Sequence, residues 1–247
     1  MNQRPLRSSI LVLLAATDIA SAAGSVFISA PEQPVRCFDF IEVTLHVDRP
    51  DAANPFTDVR VAGEFQRGGE APVRVEGFCD AADGSLFRIR FMPVHPGEHR
   101  FSVQLRQGDY AFNHEGTFTA RAGRLPGPVL VDRDHPFHFV RAGTGEHWFW
   151  NGTTTYQLLA WDDDTIAQSV DRLARLGVNR IRVAICGRTR DGKRWNEPLV
   201  QRTSKFAFKM EPWQAARPEN LEDPDYDVMR FNVGFFQKAE RMLRLAR

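Results

Sequence analysis

The chain is 247 residues long, 43% hydrophobic and 26% charged, enough apolar material for one large domain or two smaller ones. Its 32 Lys+Arg against 31 Asp+Glu leave a net charge of +1, which excludes the phosphate-neutralising surplus of a nucleic-acid or anionic-membrane binder. Three cysteines, Cys37, Cys79 and Cys186, are too few and odd in number for a disulfide framework. A Cys37–Cys79 bridge and a pair of free, buried thiols both stay open at this point.

The N-terminus has the pattern of a secretory signal over residues 1–23. Arg4 and Arg7 precede the apolar run Ile10–Ala16, and Ala20-Ser21-Ala22 offers small residues for cleavage. That run is too short to span a bilayer, and no second stretch is long enough. The expected location is secreted or periplasmic.

From Cys37 to Ala122 the hydrophobic period is two. Ile41, Val43, Leu45 and Val47 alternate with Glu42, Thr44 and His46; Val59, Val61 and Phe65 with Arg60 and Glu64; Val73 and Val75 with Arg74 and Glu76. Phe87, Ile89 and Phe91 alternate with Arg88 and Arg90, and Phe101, Val103 and Leu105 with Arg100, Ser102 and Gln104. A last strand is expected over Gly116–Ala120. Turn signals stand between the runs, at Asn54-Pro55, Gly68-Gly69, Asp83-Gly84, Pro96-Gly97 and Gly108-Asp109. Half-buried strands at this spacing predict an antiparallel, immunoglobulin-like sandwich over residues 24–122. Residues 123–128, rich in Gly and Pro, form a linker, because Pro126 and Pro128 cannot sit in a central strand.

Residues 129–247 change character. Short extended pieces, Val129–Val131 and Phe137–Val140, lead into a strand–helix–strand unit. Its first strand is predicted over His147–Trp150, ending in a polar turn, Asn151–Thr155. Its helix should begin at Asp162, Asp163 and Asp164, where carboxylates meet free backbone N–H groups and the positive end of the dipole. Ile166, Val170, Leu173 and Leu176 make one stripe, and Gly177 suits the left-handed end of the helix. In the next strand Ile181, Val183 and Ile185 should face the helix, leaving Arg180 and Arg182 to point inward, where a buried arginine needs a polar partner. Gly187–Phe231 has no helical or strand period but is rich in aromatics, including Trp195, Phe206 and Trp213. A last helix begins near Asn232, with Phe235, Ala239, Met242 and Ala246 as its stripe and Phe236 and Leu243 widening it.

Other motifs fall short of chemistry. Gly187-x-x-x-x-Gly192-Lys193 lacks the Ser or Thr a phosphate loop needs, since Arg194 stands there. His135 and His138 have no cysteine or further histidine at zinc spacing, so they are expected at a strand edge. Capping accounts for the aspartate cluster without a cation. No nucleophile elbow or Cys/His pairing occurs. No metal and no cofactor are expected.

Several motifs carry a resemblance. NPFTDV (Asn54–Val59), GFCDAADG (Gly77–Gly84) and RIRFMPVHPGEHRF (Arg88–Phe101) resemble an uncharacterised bacterial domain that precedes apiosidase-like glycoside-hydrolase barrels. Cys79 stands where those domains tend to carry an aromatic. GPVLVDRDHPFHFV (Gly127–Val140), NGTTTYQLLAW (Asn151–Trp161) and LGVNRIRV (Leu176–Val183) resemble the opening of the barrel, and FNVGFF (Phe231–Phe236) the start of its second helix.

The resemblance implies an all-β sandwich followed by an incomplete α/β (TIM-type) barrel. A full barrel takes about 250 residues, so only its first two strand–helix units are expected here. The catalytic carboxylates, typically on the fourth and seventh strands of such barrels, would lie beyond Arg247. In related barrels an arginine in a pattern like Asn-x-x-Arg-Val lines the sugar pocket; Asn179–Val183 matches it, which makes Arg182 a candidate, with a structural pairing as the alternative. Thr154 and Tyr156 stand where barrel strands carry sites and could bond sugar hydroxyls. Trp161 or Trp195 could stack on a sugar face, and turn chemistry with core aromatics is the competing explanation.

The expected function is therefore the N-terminal portion of a secreted glycoside hydrolase acting on polysaccharide or oligosaccharide, inactive by itself. The alternative is a non-catalytic carbohydrate- or matrix-binding sandwich, which a cluster of exposed aromatics on one sheet face would favour.

Overall fold

The computed structural model describes residues 25–30, 34–185, 205–206, 211–218, 220 and 223–247. The leader, Cys186, the Gly187–Arg194 motif and Trp195 fall outside them. The chain divides into two compact units, Met1–Leu125 and Pro126–Arg247.

Among the described residues the first unit has nine strands: β1 (Val26–Ser29), β2 (Val35–Arg36), β3 (Ile41–Val47), β4 (Val59–Arg67), β5 (Val73–Glu76), β6 (Phe78–Cys79), β7 (Leu86–Phe91), β8 (Gly97–Gln107) and β9 (Tyr110–Arg121). They form two sheets in a sandwich-like arrangement, ordered β1-β3-β7-β6 and β2-β9-β8-β4-β5. All pairs are antiparallel except β2 with β9. Most of the period-two residues become the core: Ile41, Val43, Leu45, Val61, Phe65, Phe87, Ile89, Phe101, Val103 and Leu105 are all buried, while Val73 on the edge strand β5 is exposed. Each such side chain contributes roughly 1.5–3 kcal/mol relative to exposure. Phe65 lies at the centre, stacked on Phe91 at 4.3 Å and tilted against Phe101.

The β8–β9 hairpin closes with Gln107 opposite Tyr110, leaving a two-residue turn whose first residue, Gly108, takes φ +55°. β9 is longer than the expected Gly116–Ala120: its first half, where half-buried Tyr110 and Phe112 alternate with exposed Ala111 and Asn113, pairs with β8 throughout. Gly77 joins β5 to β6, and so carries the chain from one sheet to the other. Its N–H donates to the Val61 carbonyl at 2.7 Å, and a Cβ there would stand 2.9 Å from the Arg88 carbonyl oxygen. On the solvent side of the four-stranded sheet, Arg88 pairs with Glu42 and with Asp80 at 2.5 Å, and Arg90 with Glu42 at 2.6 Å. Cys37 and Cys79 are both free thiols, the first buried, which settles the question their number left open.

The second unit begins with a hairpin of β10 (Val129–Val131) and β11 (Phe139–Arg141). β12 (Gly152–Thr154) and β13 (Arg180–Arg182) then run parallel, joined by a 3-10 turn at Leu158–Ala160 and helix α1 (Asp163–Arg175). A second hairpin, β14 (Trp213–Ala215) and β15 (Tyr226–Phe231), precedes helix α2 (Val233–Leu245). Leu158, Leu159, Ala160, Ile166, Val170, Phe206, Phe235 and Met242 form the core of the unit.

Four expectations need correction. The first strand is Gly152–Thr154 and not His147–Trp150; the expected polar turn is the strand, because its pairing with β13 outweighs the β propensity of the aromatics before it. Leu176 is 65% exposed and off the helix stripe, since the helix has already ended at Arg175. Ile185 is 59% exposed, because β13 stops at Arg182. The segment expected to lack regular structure contains β14 and β15, whose pairing is interrupted between Trp213 and Gln214 and whose alternation is correspondingly faint. The helix ends agree with the local chemistry. Asp162 caps α1 by accepting the Thr165 N–H at 2.8 Å, Gly177 follows at φ +71°, and Asn232 caps α2 by accepting the Phe235 N–H.

Candidate functional site

The parallel register sets Gly152 opposite Arg180 and Thr154 opposite Arg182. Pairing continues past the strand ends: the Thr155 N–H donates to the Arg182 carbonyl and the Ala184 N–H to the Tyr156 carbonyl, both at 2.8 Å. Arg180 and Arg182 therefore share a face, with Ile181 turned to the core.

Each guanidinium lies on an aromatic ring. Arg182 sits 5.2 Å from the centroid of Tyr156, and Arg180 4.1 Å from that of Trp150. Both arginines are exposed, so the inward, buried Arg182 expected from its alternation is not found. Among the described residues neither is paired with a carboxylate; the aromatic rings hold them instead. The Thr155 hydroxyl is buried with no hydrogen-bond partner among the described residues.

Trp161 is half-buried, set edge-on to Phe206 at 5.0 Å, and its carbonyl accepts the Lys238 ammonium at 2.6 Å. Burial pulls the Lys238 pKa down, opposed by Asp163. Trp161 thus serves the core on one side. Thr154, Tyr156 and Arg182 come together, Trp161 lies five residues beyond Tyr156 on the core's margin, and Trp195 falls outside the described residues. The Trp150–Arg180 pair escaped sequence reasoning, although Arg180 stands two residues from Arg182 and so on the same face.

Two asparagines lock the start of this unit. The Asn151 amide donates to the Gly177 carbonyl at 2.9 Å, Asn179 Oδ1 accepts the Asn151 N–H at 3.0 Å, and the Asn179 amide donates to the Phe149 carbonyl at 2.6 Å. They tie β12 to the end of α1 and the start of β13, fixing where the arginines emerge. The resulting face offers guanidinium donors, hydroxyls and aromatic edges, the groups that meet a polyhydroxylated ligand.

A sandwich unit followed by a βαβ unit with a polar–aromatic face is the class these features define. The sequence model of a family described as a domain of unknown function, DUF5060, matches residues 34–106, within the sandwich. The chain is similar to the crystal structure of a candidate glycoside hydrolase from Bacteroides vulgatus, at 26% identity and a TM-score of 0.66. The likeness covers 87% of this chain and 40% of that one, so the chain spans less than half the length of its neighbour. Weaker likenesses are to a superoxide reductase from Ignicoccus hospitalis (17% identity, TM-score 0.28, 40% of this chain and 82% of that one) and a β-glucuronidase from Parabacteroides merdae (14%, 0.26, 67% and 21%). Similarity that low bears on neither fold nor function. No curated protein matches the chain.

Proposed function

We propose that this chain is the N-terminal portion of a glycoside hydrolase acting on polysaccharide or oligosaccharide. In this reading the sandwich is an accessory domain, and β12 and β13 are the first two strands of an apiosidase-like (β/α)8 barrel. The observation that carries the reading is the parallel β12–α1–β13 unit, which brings Thr154, Tyr156 and Arg182 to the C-terminal strand ends, within a chain similar over most of its length to a candidate glycoside hydrolase. Barrel enzymes place their sites at those strand ends.

Cleavage of a glycosidic bond needs two carboxyl groups across it, one to protonate the leaving oxygen and one to attack or to activate water. Later strands outside this chain are assigned that pair. This chain's share is to hold the sugar: hydroxyls and guanidinium donors to its oxygens, aromatic rings to its apolar faces. Export from the cytoplasm, from the leader pattern of residues 1–23, belongs to the same reading.

The alternative of a carbohydrate-binding sandwich is disfavoured by the aromatics of the first unit. The exposed ones, Phe27 on β1 and Phe78 on β6, lie on opposite edge strands of one sheet and form no shared platform.

Saturation-transfer NMR against a panel of plant and bacterial oligosaccharides tests the reading. Transfer to at least one glycan is expected, weakened about tenfold or more by Arg182→Ala or Tyr156→Ala, with no reducing sugar released. Absence of transfer to every glycan, or transfer indifferent to both substitutions, overturns the sugar site; sugar release by this chain overturns the division of labour.

A further inference from the structure

Asp132 follows β10 directly and is buried although charged. Its two carboxylate oxygens have different tasks. Oδ1 accepts the backbone N–H groups of Asp134 at 2.9 Å and His135 at 3.3 Å, holding the turn of the β10–β11 hairpin. Oδ2 faces two imidazoles, His135 Nδ1 and His147 Nε2, each at 3.4 Å. His147 reaches this place because it bridges to Val140 of β11, so three residues spread over sixteen positions of sequence converge at one hairpin end.

The spacing is informative. A carboxylate bonded to a charged imidazole sits about 2.7–2.9 Å away, and 3.4 Å is too long for a good bond of that kind. Ligands of a tetrahedral ion with bonds of about 2.0–2.1 Å lie roughly 3.3–3.4 Å from one another. Asp132 Oδ2 therefore stands from each imidazole nitrogen at the ligand-to-ligand distance of such an ion, and all three donor atoms fall within 4.8 Å of each other. The two histidine side chains are 63% and 64% exposed, so a metal can enter from solvent.

We propose that Asp132 Oδ2, His135 Nδ1 and His147 Nε2 form a mononuclear site for a borderline transition-metal ion, Zn²⁺ by its donor set. Two neutral imidazoles and one carboxylate suit zinc and its neighbours, whereas calcium and magnesium want oxygen throughout. The ring of His138 stands beside the site, its centroid 5.9 Å from that of His135 and 6.1 Å from that of His147. Bound there, the ion clips the hairpin turn to the strand-like segment that leads into β12. The site is separate in its residues from the sugar-holding face, and the two readings stand or fall independently.

The experiment is calorimetric titration of tag-free, metal-stripped chain with ZnCl₂, paired with Co²⁺ absorption spectra. One equivalent of Zn²⁺ per chain and the visible bands of four-coordinate Co²⁺ are expected. Asp132→Asn, which keeps the turn-holding oxygen and removes the anionic one, and His147→Gln should each weaken binding about tenfold or more. His147→Gln alters an exposed side chain, so it remains a fair test if Asp132→Asn does not fold, and circular dichroism of each metal-free variant checks that. No Zn²⁺ uptake, or uptake unchanged in His147→Gln because the thiols hold the metal, overturns the proposal.

Discussion

At the scale of single residues, position in the fold decides more than type. Gly77 has no unusual φ, yet an added Cβ would meet the Val61 and Ile89 side chains and the Arg88 carbonyl oxygen, all within 3.0 Å. The backbone oxygen cannot move aside without breaking the β7 ladder. Gly77→Ala is therefore expected to cost about 1–3 kcal/mol of sandwich stability, the usual penalty for overpacking, measured by urea unfolding. Unchanged stability would mean the crossover between sheets is looser than this contact implies. Nothing in the sequence around Gly77 announces the constraint, because Val61 and Arg88 are distant in the chain. The same holds for His147: a sequence reader pairs His135 with His138 by spacing and sees an incomplete set, while the hairpin supplies the third donor.

At the scale of elements, α1 shows what local chemistry can specify. Asp162 accepts the Thr165 side-chain and backbone donors, and those bonds hold its carboxyl below the usual aspartate range. A folded pKa below the unfolded one means that the cap's stabilisation is complete above the unfolded value, near 3.9. It is then lost as pH falls through the lower folded value. The Thr165 amide should report this in ¹⁵N–¹H spectra as a titration with a midpoint below the ordinary aspartate value, absent in Asp162→Asn. A midpoint at or above that value would contradict the cap. Both helices were legible because cap and stripe are contiguous in sequence, and α1 has a terminating glycine as well. β12 was not, because Gly152–Thr154 has no strand period of its own and becomes a strand only by pairing with Arg180–Arg182.

At the scale of the whole molecule, the two units are unequally built. The first has sheets of four and five strands around a continuous core. Among the described residues, the sheets of the second have two strands each and its core is smaller. Two-stranded sheets are marginal in water, and their outer edges offer unpaired backbone groups. Limited proteolysis of the chain should therefore cleave within residues 126–247 first and leave a resistant fragment ending near Leu125. A resistant C-terminal fragment would show that the second unit holds together better than its sheets suggest. Because Cys37 and Cys79 are free thiols, the resistant fragment should appear equally with and without reductant.

The sequence by itself determined the β-rich character of residues 41–121, the buried faces of β3, β4, β7 and β8, and both helices with their N-terminal caps. Those features depend on period, capping and turn chemistry, which act between residues a few positions apart. Only the tertiary structure decided that the strand lies at Gly152–Thr154, that Arg180 and Arg182 rest exposed on Trp150 and Tyr156, and that His147 joins His135 at Asp132. Each of these is a contact between segments far apart in the chain, and its energy is realised only once the intervening residues have folded.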